Sequence, residues 1–326
     1  MRRLLPICFA LPTLLAGFLA LALPAAAQDV QPAAFLHLGD CPSECPCEEE
    51  EDDSLRSFGP CCCEVRKTLM QWSYGTSFSG GPPGFDEPLA SDRPDFVEAS
   101  VTVGRGVAQV EMGYTFISND DPGLTHREHS VPEMLWRIGM FAEWFEFRIA
   151  FNHLSGSDLI APLPIDNFSG GEDLYLGVKL GLTPQEGILP EMALILQMTV
   201  PTGHPDLTAG ETLPGFNWLY GWEVNDFIGI GMSTQGNKAI DDVGDEYFEF
   251  AQAITINYAL AEKLSAYTEW FALIPSGGTT AFTEHYMDGG FVFRATNNLQ
   301  FDIRAGIGLS ERANDYFTGA GVVLRL

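Results

Sequence analysis

From Val107 to Leu326 apolar and polar residues alternate with a period of two, in runs broken by clusters of Gly, Pro, Asn and Asp. Twelve runs stand out, at approximately 107 to 118, 132 to 141, 145 to 154, 172 to 182, 191 to 200, 216 to 225, 228 to 236, 247 to 259, 264 to 274, 286 to 295, 299 to 309 and 316 to 326. Period two sends successive side chains to opposite faces of a strand. Each run has roughly the nine to eleven residues that a tilted strand needs to cross a bilayer. The pattern predicts an all-β fold, a single antiparallel transmembrane β-barrel of about twelve strands.

The links support this, because outer-membrane barrels alternate long external loops with short periplasmic turns. Long links run through Asp120-Asp121-Pro122-Gly123, Ser155 to Gly170, Thr202 to Gly215, Asn237 to Glu246 and Pro275 to His285. Between them fall tight ones at Ala142-Glu143-Trp144, Asp226-Phe227, Ala261-Glu262 and Thr296-Asn297-Asn298, with Pro184 to Leu189 somewhat longer. The last link, Glu311 to Asp315, is short for an external loop. An even strand number leaves both ends of the barrel on the periplasmic side.

Phase then assigns the faces, since Lys or Arg facing lipid at mid-membrane costs about 2–4 kcal/mol. Val110, Met112, Tyr114 and Phe116 share one face of the first strand, and Gln109, Glu111, Gly113 and Thr115 the other. Carried around the barrel, this phase turns Glu111, Arg137, Glu146, Arg148, Asp173, Lys179, Glu223, Glu249, Glu269, Asp288, Arg294, Asp302, Arg304 and Arg325 inward, as candidate pore-lining residues. The run at 264 to 274 is the least regular, because Tyr267 and Phe271 share the inward face with Glu269. Trp136, Trp144, Trp218, Tyr220, Trp270 and Tyr316 are placed to form interfacial girdles. The inward charges are of both signs, and ion pairs across a narrow barrel more often staple the structure than select solutes.

The preceding chain has different chemistry. Arg2 and Arg3, an apolar run from Leu4 to Leu23 and Pro24-Ala25-Ala26-Ala27 read as a signal peptide over residues 1–27. Residues 28–95 form an acidic, Cys-rich periplasmic segment expected to be largely irregular, followed by the barrel at 96–326. Cys41, Cys45, Cys47, Cys61, Cys62 and Cys63 lie around the acidic run Glu48 to Asp53. In an oxidising compartment they are disulfide candidates in any of the possible pairings, with thiolate metal ligation as the alternative; no zinc spacing is present. The chain has 17 Lys and Arg against 44 Asp and Glu, an excess that disfavours nucleic acid and other polyanions as partners. Outer-membrane lipid and a small-molecule solute are the expected partners, and no cofactor is implied.

Other chemistry competes. A soluble β-sandwich shares the alternation but not the long and short links. A barrel enzyme acting on lipid needs a nucleophile and a base, and His153 with Ser155 is the nearest pair, without an evident third group. His126 and His129 read as a solvated loop around Arg127. Asp241-Asp242-Val243-Gly244-Asp245 offers carboxylates to a hard cation but lacks the full spacing of a calcium loop. A structural barrel with a filled lumen is a further alternative.

Several short motifs occur in order: Ser91-Asp92-Arg93-Pro94-Asp95-Phe96, Gln109 to Tyr114, Gly171-Glu172-Asp173-Leu174 with Gly177 and Lys179, Val200-Pro201-Thr202-Gly203, and Tyr316 to Gly321. From about Ser91 to Leu326 they resemble a family of outer-membrane transporters known from the meta pathway of phenol degradation. The resemblance implies a barrel that is a passive pore for small, aromatic or hydrophobic solutes rather than an enzyme. It also implies delivery to the bacterial outer membrane by the barrel-assembly machinery through the C-terminal strand. The chain departs from the pattern in its Cys-rich segment and in ending at Leu326 where such strands commonly end in Phe.

Overall fold

The computed structural model describes residues 67–72, 81–121, 123–160, 165–241 and 243–326. The proposed signal peptide and the six cysteines Cys41, Cys45, Cys47, Cys61, Cys62 and Cys63 lie outside the described residues. Within them the chain runs through β1 (Ala108–Asp121), β2 (Leu124–Gly139), β3 (Phe145–Ile160), β4 (Asp166–Gly171), β5 (Leu174–Thr183), β6 (Glu191–Val200) and β7 (Leu213–Asn225). It continues through β8 (Ile228–Ile240), β9 (Glu246–Ala261), β10 (Leu264–Ser276), β11 (Glu284–Thr296), β12 (Leu299–Gly308) and β13 (Tyr316–Arg325).

Apart from β4 and β5, neighbours along the chain pair antiparallel, and β1 pairs with both β2 and β13 while β2 pairs with β3, so the sheet closes. Closure removes the exposed strand edges that a membrane would not tolerate. The wall has twelve strands, because β4 and β5 share one position in it. β4 pairs with β3 from His153↔Gly171 to Asp158↔Asp166, and β5 pairs with the preceding part of β3, from Phe145↔Leu180 to Ala150↔Tyr175. At the break between them Glu172 still donates its backbone N–H to Asn152 O at 3.0 Å.

Large apolar side chains remain on the surface in alternate positions, among them Leu196 and Met198, Phe248 and Phe250, Phe291 and Phe293, and Phe301, Ile303 and Ile307. Interleaved with them, Ile195, Gln300 and Asp302 are buried. In water such a belt would drive aggregation; against lipid it is the favourable arrangement. Trp136, Trp218 and Tyr316 are among its exposed aromatic residues.

The structure corrects the links nearest the start of the barrel. The long loop expected through Asp120-Asp121-Pro122-Gly123 is a two-residue connection, because β2 already begins at Leu124. His126 and His129, expected in a solvated loop, are strand residues paired with Asn119 and Phe116. β3 likewise continues beyond 154 to Ile160. The backbone ladder extends past the region where one face must be apolar, so Thr125 to Ser130 carry no period-two signal although they are strand.

A second layer lies inside the wall. Residues 81–107 form no helix or strand, yet Leu89, Asp92, Val97, Thr102, Val103 and Val107 are buried. Their partners come from β1, β3, β5 and β10, on well-separated parts of the closed wall. A segment that touches such distant strands at once occupies the lumen, and we call it the plug.

Candidate functional site: the charged lumen and its plug

An irregular segment inside a barrel must satisfy its backbone N–H groups without a ladder, and here wall carboxylates accept them. Glu111 accepts from Asp92 N at 3.1 and 3.2 Å. Glu269 accepts from Phe96 N at 2.7 Å and from Val97 N at 2.9 Å. Glu146 accepts from Val103 N at 2.9 Å. Arginines hold the plug carbonyls in the same way: Arg137 donates to Ala90 O and Val101 O, Arg304 to Pro94 O, and Arg325 to Glu87 O.

Five of the residues predicted from phase meet in one network with the plug. Arg137, Glu146, Lys179, Arg148 and Glu111 are each at most 1% exposed. Asp92 of the plug lies 3.2 Å from Arg137, 2.5 Å from Arg148 and 2.9 Å from Lys179. Burial alone would raise the Asp92 carboxyl, but Arg137, Lys179 and Arg148 outweigh it and hold the group far below the usual carboxylate range. Arg137 also pairs with Glu111 at 3.1 Å and Glu146 at 2.8 Å. Charges so buried persist only because each meets its opposite.

Around Asp95 the balance is reversed. Glu269 and Asp288 are both buried wall residues, and Tyr267 donates its hydroxyl to Asp288 at 3.1 Å. Burial, followed by the negative charges of Asp288 and Asp92, pushes the Asp95 carboxyl up to about 8 despite its hydrogen bonds to backbone and Thr255. Beside this acidic group the plug is held by rings, Phe96 stacking on Phe271 at 4.5 Å between centroids. The irregular phase of β10 thus has a physical cause: its inward Tyr267, Glu269 and Phe271 face plug residues rather than water.

Arg93 is the third anchor. It pairs with Glu133 at 2.9 Å and Asp302 at 3.4 Å. Its guanidinium lies against Gly113 and Gly321, which are opposite each other in the β1/β13 register, and a Cβ at either position would collide with it. These glycines belong to two of the motifs noted above.

The other predicted residues lie apart from this centre. Asp173 accepts from Gly203 N and Ala209 N, tying down the connection between β6 and β7. Glu223 is exposed near the end of β7, Glu249 accepts from Tyr247, and Arg294 donates to Glu262 O. Phase did not identify Asp92, Arg93, Asp95 and Glu98, because the plug has no period. The available signal was their density in Ser91 to Glu98, just before the first strand.

The enzyme and cation candidates resolve differently. His153 meets Ser169 rather than Ser155, at 3.3 Å. Asp241 accepts backbone N–H groups from Thr280, Asp245, Thr279 and Val243, Thr280 contributing most, and they hold its carboxyl at about 2. That carboxylate organises its loop; Asp242 lies outside the described residues.

A closed twelve-stranded wall with an apolar belt and a charged interior defines an outer-membrane β-barrel of porin-like architecture, in contact with lipid. Residues 91–326 match the family model described as "Putative MetA-pathway of phenol degradation", and the chain belongs to that family. Among solved structures it is similar to an outer membrane channel from Pseudomonas putida F1, with 13% identity and a TM-score of 0.53, over 72% of this chain and 99% of that one. Lower similarity extends to the translocator domain of the autotransporter NalP from Neisseria meningitidis, with 12% identity and a TM-score of 0.43 over 68% and 89% of the two chains. The NanC porin matches with 9% identity and a TM-score of 0.41, over 67% of this chain and 100% of that one. No curated protein sequence matches the chain.

Proposed function

We propose that the barrel is a passive conduit for small, uncharged or weakly polar solutes, aromatic and hydrophobic ones included, and that the plug narrows its path. The observation that carries this reading is the interior itself, a wall of charged side chains of both signs around a segment held mainly by polar contacts, with one apolar cluster about Phe96, Val97 and Phe271. In this reading the fourteen inward candidates form the pore lining, Asp92, Arg93, Asp95 and Glu98 complete it from the plug, and β13 carries the signal for the barrel-assembly machinery. The similar barrel from Pseudomonas putida F1 is named a channel, which agrees with this assignment.

The second reading, a structural barrel with a filled lumen, is favoured by the burial of Arg137, Glu146 and Lys179 beneath the plug. Swelling of liposomes containing the protein, in an uncharged series of graded size, separates the two. Entry that falls off with solute size supports the conduit. Absence of entry for even the smallest solute supports the filled barrel.

A further inference from the structure

Above Glu98 of the plug a cavity of about 440 Å³ remains inside the barrel, within the range of small-molecule sites. Its polar lining includes Glu98, Arg148, Asn152, Glu172, Asp173 and Tyr175, and its apolar lining includes Leu135 and Leu207. Leu207 belongs to the β6/β7 connection that Asp173 ties down, so the wall, the plug and this connection jointly line the space, which stays open on one side.

Most of the polar groups are already engaged. Both Asp173 oxygens accept backbone N–H groups, Asn152 donates to Glu172 at 3.0 Å, and Tyr175 donates to Gln197 at 3.1 Å. Arg148 pairs with Asp92, Glu146 and Glu98. Among the lining residues two atoms, Glu98 Oε2 and Arg148 Nε, are buried without a partner and present almost no surface to the space. The Arg148 side chain is only 1% exposed, so its free N–H is an orphan donor in a place where such groups normally find partners.

We propose that this cavity is a binding subsite for a small uncharged solute that carries hydroxyl groups on a partly apolar body. Solute hydroxyls donate to the Glu98 and Glu172 carboxylates that border the space, while Leu135, Leu207 and the Tyr175 ring cover the apolar part. Anions are disfavoured, because Glu98, Glu172 and Asp173 present three carboxylates against one arginine that is already paired. The inference rests on the conduit reading for the route of the solute and adds a selective step within that route.

Binding of phenyl glucoside and of phenyl glucuronide to the full-length barrel in detergent, followed by calorimetry, provides the test. The two probes have similar shapes and differ by a carboxylate. The uncharged probe is expected to bind saturably and at least tenfold more tightly than the anionic one. Leu207→Trp, which fills the cavity from a surface connection, should abolish that binding, and Glu98→Gln should weaken it at least fivefold while reducing the discrimination against the anion. Equal affinities for the two probes, or uncharged-probe binding unchanged by Leu207→Trp, would overturn the subsite. Liposome flux is measured in parallel on the same variants. Flux without saturable binding rejects the subsite and leaves the conduit standing; saturable binding without flux rejects the conduit and leaves the subsite.

Discussion

Replacing Asp92 by Asn should release the plug without unfolding the wall. Asp92 is the ion-pair partner of Lys179 at 2.9 Å and shares Arg137 and Arg148 with wall carboxylates. At an effective dielectric of about 20, one such contact is worth about 6 kcal/mol of Coulomb energy. Part returns on substitution, because Asp92 also repels Glu98. The net cost of leaving a buried partner uncompensated is about 3–5 kcal/mol. The docking equilibrium should therefore shift by a factor of about 10² to 10⁴. Amide hydrogen exchange reads this directly, because the N–H groups of Phe96, Val97 and Val103 are protected only while they bond wall carboxylates. Exchange at these amides should accelerate by that factor, with β6 to β9 unchanged. Lys179→Met combined with Asp92→Asn should restore part of the protection by removing the orphaned cation. Exchange in Asp92→Asn within threefold of wild type would refute the network as the plug's anchor.

Plug docking should weaken as pH rises from about 4 to about 8. Asp95 has its ordinary value of 3.8 when solvated and about 8 when docked, so between these values the docked state holds the extra proton. Asp92, whose docked value is depressed, acts in the opposite sense and only as pH falls below its ordinary range. Protection of the plug amides at pH 5 and pH 8.5 checks this after correction for intrinsic exchange, and Asp95→Asn should flatten the difference. Gly113→Val should displace the Arg93 guanidinium, costing about 1–3 kcal/mol of docking through overpacking; Arg93→Ala in the same background should add little, whereas full additivity would place Arg93 elsewhere. Reversal potentials in a salt gradient at neutral pH should show weak cation preference, since the plug adds Asp92 and Glu98 but only Arg93 near the centre, Asp95 holding its proton there. Strong anion preference would contradict the assignment of the lining.

The wall was legible from period-two alternation because lipid enforces it: one face of each crossing strand must be apolar. Thr125 to Ser130 were missed where that constraint ends, since a strand outside the membrane keeps its ladder but needs no apolar face. Phase also placed Arg137, Glu146, Arg148 and Lys179 on one face, but it could not show that they converge on Asp92, because that contact joins residues with no common periodicity. The plug was illegible for the same reason: its fold is dictated by partners on distant strands. Its trace in the sequence was indirect, in the charge-dense Ser91 to Glu98 and in the inward rings of the 264 to 274 run. The six cysteines lie outside the described residues, and their disulfide pairing remains an expectation about redox chemistry.

Single-channel conductance in planar bilayers, comparing wild type with a variant lacking residues 81–105, tests the central claim most directly. A plug-narrowed conduit predicts small discrete conductance steps in wild type and severalfold larger ones after the deletion, with circular dichroism confirming that the barrel is retained. A folded, inserted deletion variant that conducts no better than a wild type showing no steps would contradict the claim and leave a barrel whose lumen serves structure alone.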